Sequence, residues 1–258
     1  MYQNVIVPNE GTREGRIVFA PAADLAWRCG ARVVNVSNTD VSDKSSKAVV
    51  KQYAISKSAA DAEFWVDLEH SLGEATLMAA SFRPDPIICA GSGLPVPRLL
   101  GSKRPTVSPV VVELVEQADA PVVVIGPRTD TGRGLPMTEV VVVVDGTEQG
   151  AGVLGPAAEW ARQFKLRMVF TALSDEGPLQ ERSAAQQYLD AQANAATSAA
   201  GVGVELVQGS GGVDDLAVLL AGHEDAVVMI GIGPKGTSMT KNTAALILSS
   251  PRAIVLMR

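Results

Sequence analysis

Val140-Val141-Val142-Val143-Val144-Asp145-Gly146-Thr147-Glu148 is the stretch on which the reading turns: five valines run directly into a carboxylate, a glycine and a hydroxyl. A strand without polar alternation is covered on both faces, the mark of a buried parallel sheet. Beyond the turn, Val153, Ala157, Trp160, Ala161 and Phe164 recur at helical spacing and predict a helix whose single apolar stripe faces that sheet. Pro156 falls within this helix, where a proline removes one ladder bond and is expected to kink it.

The same unit occurs twice. Gly11 to Val36 aligns without a gap on Gly146 to Thr171, an offset of 135, with 10 of 26 pairs identical, Pro21 on Pro156 among them. Asp85 to Gly93 aligns on Asp225 to Gly233 at an offset of 140, and Pro121 to Ile125 on Ala253 to Met257 at 132. The offsets change only between blocks, where loops absorb insertions. The chain therefore divides into copies at 1–127 and 138–258, joined by a turn-rich linker at 128–137. In the second copy, strands are predicted at Val140 to Val144, Arg167 to Thr171, Val204 to Val207, Ala226 to Ile230 and Ala253 to Met257. Ala-rich helical segments separate them, which is the βαβ pattern of an α/β fold.

Composition narrows the function. With 258 residues, 47% hydrophobic and 19% charged, and a mean hydropathy of +0.17, the chain is globular rather than disordered. A net charge of -6 offers no basic footprint for nucleic acid. No run approaches a membrane span, and the start of the chain reads as a β-strand rather than a signal peptide, so a cytoplasmic protein is expected. Cys29 and Cys89 lack metal spacing and read as buried free thiols. His70 and His223 have no adjacent nucleophile and orienting acid, and read as surface residues.

Ligands of open α/β sheets bind beyond the carboxyl ends of strands where the strand order reverses. Two segments qualify in the second copy: Asp145-Gly146-Thr147, and the glycine-rich Gly231-Ile232-Gly233-Pro234-Lys235-Gly236-Thr237-Ser238. The carboxylate suits a ribose hydroxyl, and the loop offers backbone donors and one lysine to a phosphate. The same residues would also make an ordinary helix-capping turn. Ser210-Gly-Gly-Val-Asp214-Asp215 resembles the pyrophosphate loop of PP-loop ATP pyrophosphatases, but only 43 residues follow Asp215, and a turn with an Asp helix cap explains it better.

Together and in duplicate, these residues resemble a tandem universal stress protein. Asp145-Gly146-Thr147, Val153-Leu154, Ala157 and Trp160-Ala161 stand where that family has its first strand end and helix, and Val110 to Val124 resembles its last helix and strand. The resemblance implies two tandem doubly wound, Rossmann-like domains, each with a five-stranded parallel sheet of order 3-2-1-4-5. It implies ATP or AMP at Asp145, Gly146, Thr147, Gly231, Gly233, Gly236, Thr237 and Ser238, with no metal beyond nucleotide-associated magnesium. The first-copy counterparts are Asn9, Glu10, Gly91, Gly101 and Ser102, a weaker set.

The family's phosphate loop reads Gly-x2-Gly-x9-Gly-Ser/Thr. Here Gly233 and Gly236 match its opening but Leu246 and Ile247 stand at its close, whereas Gly91, Gly101 and Ser102 match its close and Ile88 stands at its opening. The implied partners are an adenine nucleotide and the two domains for each other through their last strands; association of two chains as a homodimer is left open by the sequence. No paired acid and base accompanies the loops, so strong catalysis is not expected and weak ATP hydrolysis is its limit. A regulatory or protein-interaction module with degenerate nucleotide loops is the alternative, and an adenine-nucleotide enzyme or flavoprotein-like relative is a weaker third.

Overall fold

The computed structural model describes residues 2–9, 17–38, 62–92, 106–132, 134–144, 152–172, 204–206 and 213–258. The apolar runs form strands β1 Asn4–Pro8, β2 Arg32–Ser37, β3 Ala62–Val66, β4 Pro86–Gly91, β5 Val122–Ile125, β6 Glu139–Val144, β7 Arg167–Ala172, β8 Val204–Leu206, β9 Ala226–Gly231 and β10 Ile254–Met257. Between them, among the described residues, lie helices α1 Phe19–Cys29, α2 Leu72–Ser81, α3 Pro109–Gln117, α4 Leu154–Phe164, α5 Val213–Ala221 and α6 Lys241–Ser249.

Among the described residues, ten strands join one sheet in the order β3-β2-β1-β4-β5-β10-β9-β6-β7-β8. Each half carries the expected order 3-2-1-4-5 with parallel neighbours. The centre of the sheet is the exception. There β10 pairs antiparallel with β5, Ile254 opposite Val124, Val255 opposite Val123 and Leu256 opposite Val122. All eight residues of these two strands are buried.

Alternation along the strands splits the core into two layers. Val5, Val7, Val140 and Val142 face one side with α1 and α4, while Ile6, Val141 and Val143 face the other with α2, α3, α5 and α6. Each layer contains side chains from both halves, so the central junction is packed on both faces. The predicted stripe of the second half is buried at Val153, Ala157, Trp160 and Ala161, with Phe164 packed against it. The Trp160 indole N–H donates to the Tyr2 hydroxyl at 2.8 Å, tying the first half to the second.

The expected proline kinks are corrected by the structure. Pro21 and Pro156 are each the third residue of their helix, α1 and α4, where the backbone N–H would lack an intrahelical partner in any case. The segment between the halves is docked: Leu135 and Met137 are buried, and the Leu135 N–H donates to the Asp24 carboxylate at 3.1 Å. Asp214 and Asp215 lie in the first turn of α5 rather than at its cap; Ser210 and its glycines lie outside the described residues.

Gly126, directly after β5, permits a close approach of the two halves. A Cβ built there would sit 2.2 Å from the Ile247 carbonyl oxygen in α6. Gly126→Ala is therefore expected to cost about 1–3 kcal/mol of stability by overpacking, read as a lowered urea midpoint. An unchanged midpoint would mean that α6 does not press on this position.

Candidate functional site

The crevice of the second half lies where β6 and β9 run side by side, Val143 opposite Ile230. Strand β7 leaves on one flank and β10 on the other, so the strand order reverses here. Strand β6 ends at Val144, and Asp145, Gly146 and Thr147, which follow it, lie outside the described residues. Strand β9 ends at Gly231, and the loop from Ile232 to Thr240 leads into α6. The Ile232 N–H continues the sheet to the Met257 carbonyl at 2.7 Å, which holds the loop's first residues at the strand ends.

Farther along, the loop turns toward the first half. Gly236 has φ +84°, a conformation L side chains rarely adopt, and its N–H donates to the Glu116 carbonyl of α3 at 2.8 Å. The Met239 N–H donates to Glu116 Oε1 at 3.3 Å, and Lys235 Nζ donates to Asp119 Oδ2 at 2.9 Å. Arg258 donates to the Gly233 carbonyl and to the carbonyls of Val115, Glu116 and Ala118. Among the residues expected to line phosphates, Gly231 and Gly233 stay half-buried near the strand ends, whereas Gly236, Thr237 and Ser238 are exposed.

In the first half, Asn9 follows β1 and is buried, its N–H donating to the Val36 carbonyl at 2.8 Å. Gly91 closes β4. Glu10, Gly101 and Ser102 lie outside the described residues. Three buried polar side chains here escaped the sequence reading: Asn35, Ser37 and Ser92. Asn35 lies on β2 opposite Val7 and is 1% exposed, and neither of its amide atoms has a partner among the described residues. Ser92 Oγ is likewise buried and unpaired.

The repeat makes these positions informative. Where the first half has Asn9, Asn35, Ser37 and Ser92, the second has Val144, Phe170, Ala172 and Ile232 at the same register. The alignment contained this signal, but it shows in pairwise differences rather than identities. An unpaired buried amide costs roughly 1–3 kcal/mol. Replacing Asn35 with Leu is therefore expected to raise the urea midpoint of the ligand-free protein. A lowered midpoint would show that the amide is satisfied.

A cluster of ionisable groups lies at the other end of the strands. His223 Nδ1 meets Glu139 Oε2 at 2.6 Å, and Arg167 Nε donates to Glu139 Oε1 at 3.1 Å. His223 is therefore a half-buried hydrogen-bond partner of Glu139 rather than a surface residue, its side chain 14% exposed. Burial acts to raise the Glu139 pKa, but the hydrogen bonds from His223 and Arg167 outweigh it and hold the carboxyl below its usual range. A carboxylate with a depressed folded-state pKa contributes stability that is complete above its unfolded value and lost as pH falls through the folded one. Glu139→Gln should thus show a shallower loss of stability below roughly pH 4.5 than wild type in thermal melts; parallel curves would contradict the pairing.

His70 is paired with Asp67 at 2.9 Å, which raises its pKa. Burial pushes the thiols of Cys29 and Cys89 to about 11 and about 12, so both are protonated at neutral pH. Among the described residues no group of three or more His, Cys, Asp or Glu is placed to hold a metal ion, and no helix is long and apolar enough to cross a membrane.

Solved structures share this arrangement over nearly the whole chain. A universal stress protein from Archaeoglobus fulgidus superposes with a TM-score of 0.67 at 12% identity, covering 99% of this chain and 98% of that one. The chain has the universal stress protein fold. A putative universal stress protein from Pseudomonas aeruginosa matches with a TM-score of 0.62 at 14% identity, covering 99% and 93% of the two chains. A functionally unknown protein from the same organism gives 0.64 at 13%, covering 99% and 92%. No family model and no curated protein matches the sequence. With identities this low, the universal stress protein likeness rests on backbone geometry.

Proposed function

We propose that the chain is a tandem stress-response protein of the universal stress type, with domains at 1–127 and 138–258 and a linker at 128–137, that binds ATP or AMP in its second half. The supporting observation is the β6–β9 switch point, which sets the strand end before Asp145 beside the strand end before the Gly231–Ser238 loop. Asp145 accepts from the ribose hydroxyls, Gly146 and Thr147 shape the turn, and Gly231, Gly233, Gly236, Thr237 and Ser238 line the phosphates. Nucleotide binding would then report metabolic state rather than drive a reaction.

A second reading has its own support. Gly236 N–H and Lys235 Nζ, two donors a phosphate would use, are engaged by Glu116 and Asp119. That favours a regulatory or interaction module without nucleotide.

Mass spectrometry of small molecules released from the purified protein, followed by calorimetric titration with ATP and AMP, separates the two. Under the nucleotide reading, adenine nucleotide copurifies or binds at micromolar concentration, and Asp145→Ala weakens binding at least tenfold, about 1.4 kcal/mol. Clean protein that ignores millimolar nucleotide would leave the interaction module.

A further inference from the structure

The loop between β9 and α6 is held by the other half of the molecule. Gly236 N–H, Met239 N–H and Lys235 Nζ all end on acceptors of α3 or the residues just after it: the Glu116 carbonyl, the Glu116 carboxylate and the Asp119 carboxylate. The last carbonyls of a helix have no intrahelical partner and carry its negative dipole end. Here the loop and the Arg258 guanidinium satisfy them together.

The arginine of the clamp has no counterpart at the pseudo-equivalent position. At the offset of 132, Arg258 aligns with Gly126 and Val115 with Ile247. On that side Gly126, which carries no side chain, lies against the Ile247 carbonyl.

We propose that docking of this loop on α3 is an autoinhibitory latch over the second-half crevice. This rests on the nucleotide reading above and names how that site is regulated. A phosphate oxygen and the Glu116 carbonyl compete for the same Gly236 N–H, and a phosphate and Asp119 compete for the same ammonium. The carboxylates of Glu116 and Asp119 also repel a phosphate brought to the docked loop. Only the undocked fraction binds, so the apparent dissociation constant is the intrinsic one divided by that fraction. The latch is releasable because its contacts are few and the Lys235–Asp119 pair is exposed. A partner that pulls on α3, or a change at the interface of the halves, would open the site without touching it.

The test compares two variants of the full chain that lose the same charge. Glu116→Ala removes the acceptor of the Met239 N–H, whereas Glu116→Gln keeps an acceptor oxygen there. Each is titrated calorimetrically with ATP, with inorganic tripolyphosphate and with adenosine. Glu116→Ala should bind ATP and tripolyphosphate about fivefold more tightly than Glu116→Gln, with adenosine unchanged, and amide exchange across 233–240 should speed up in the Ala variant alone.

Equal gains in both variants would reduce the effect to charge and overturn the latch. Wild type that binds ATP through Asp145 while neither variant changes affinity would overturn the latch and leave the nucleotide reading intact. Absence of binding in wild type and in Glu116→Ala would overturn both. Binding by Glu116→Ala alone would support the latch strongly.

Discussion

Everything in this molecule hangs on the antiparallel contact between Val122–Val124 and Ile254–Leu256. Each of these strands is the last of a five-stranded parallel set, and each alone would leave a row of unpaired backbone groups on an apolar edge, an invitation to aggregate. Joined, they cap one another, and the two sheets become one of ten strands. The burial of Val123, Ile125, Val255 and Met257 on one face, and of Val122, Val124, Ile254 and Leu256 on the other, then follows from the neighbouring helices of both halves.

The same contact sets the functional geometry. Because β5 and β10 run in opposite directions, the carboxyl ends of the two parallel sets lie at opposite edges of the sheet. The end of α3 is thereby delivered to the crevice of the second half, and the end of α6 to that of the first. Communication between the halves needs no long relay, since Glu116, Asp119 and Arg258 already join the second-half loop to α3. The copies have meanwhile diverged in their second strands, where the first half has the Asn35 amide and the second has the Phe170 ring at the equivalent register.

The strands were legible in the sequence because a strand buried on both faces, such as Val140 to Val144, needs no partner to announce itself. The repeat was legible for the same local reason, and it carried the strand order of both halves once the resemblance was seen. Pro21 and Pro156 were misplaced by a turn because helix starts are set by capping geometry, and neither helix has a capping side chain that marks its start. The Glu139–His223 pair and the Glu116 contacts were invisible for a different reason: they join residues 84 and more than 100 positions apart, with no periodicity to link them. Of the candidate site, the glycine loop was located correctly in the fold, but its attachment to α3 depends on the central junction, which no local pattern encodes.

Amide hydrogen exchange on the intact protein tests that junction most directly. If β5 and β10 are the paired centre of one sheet, the amides of Val122–Ile125 and Ile254–Met257 should be among the slowest to exchange and should lose protection together as denaturant rises. Fast exchange on either strand, or loss of protection at different denaturant concentrations, would show two independent sheets with open edges and contradict the account.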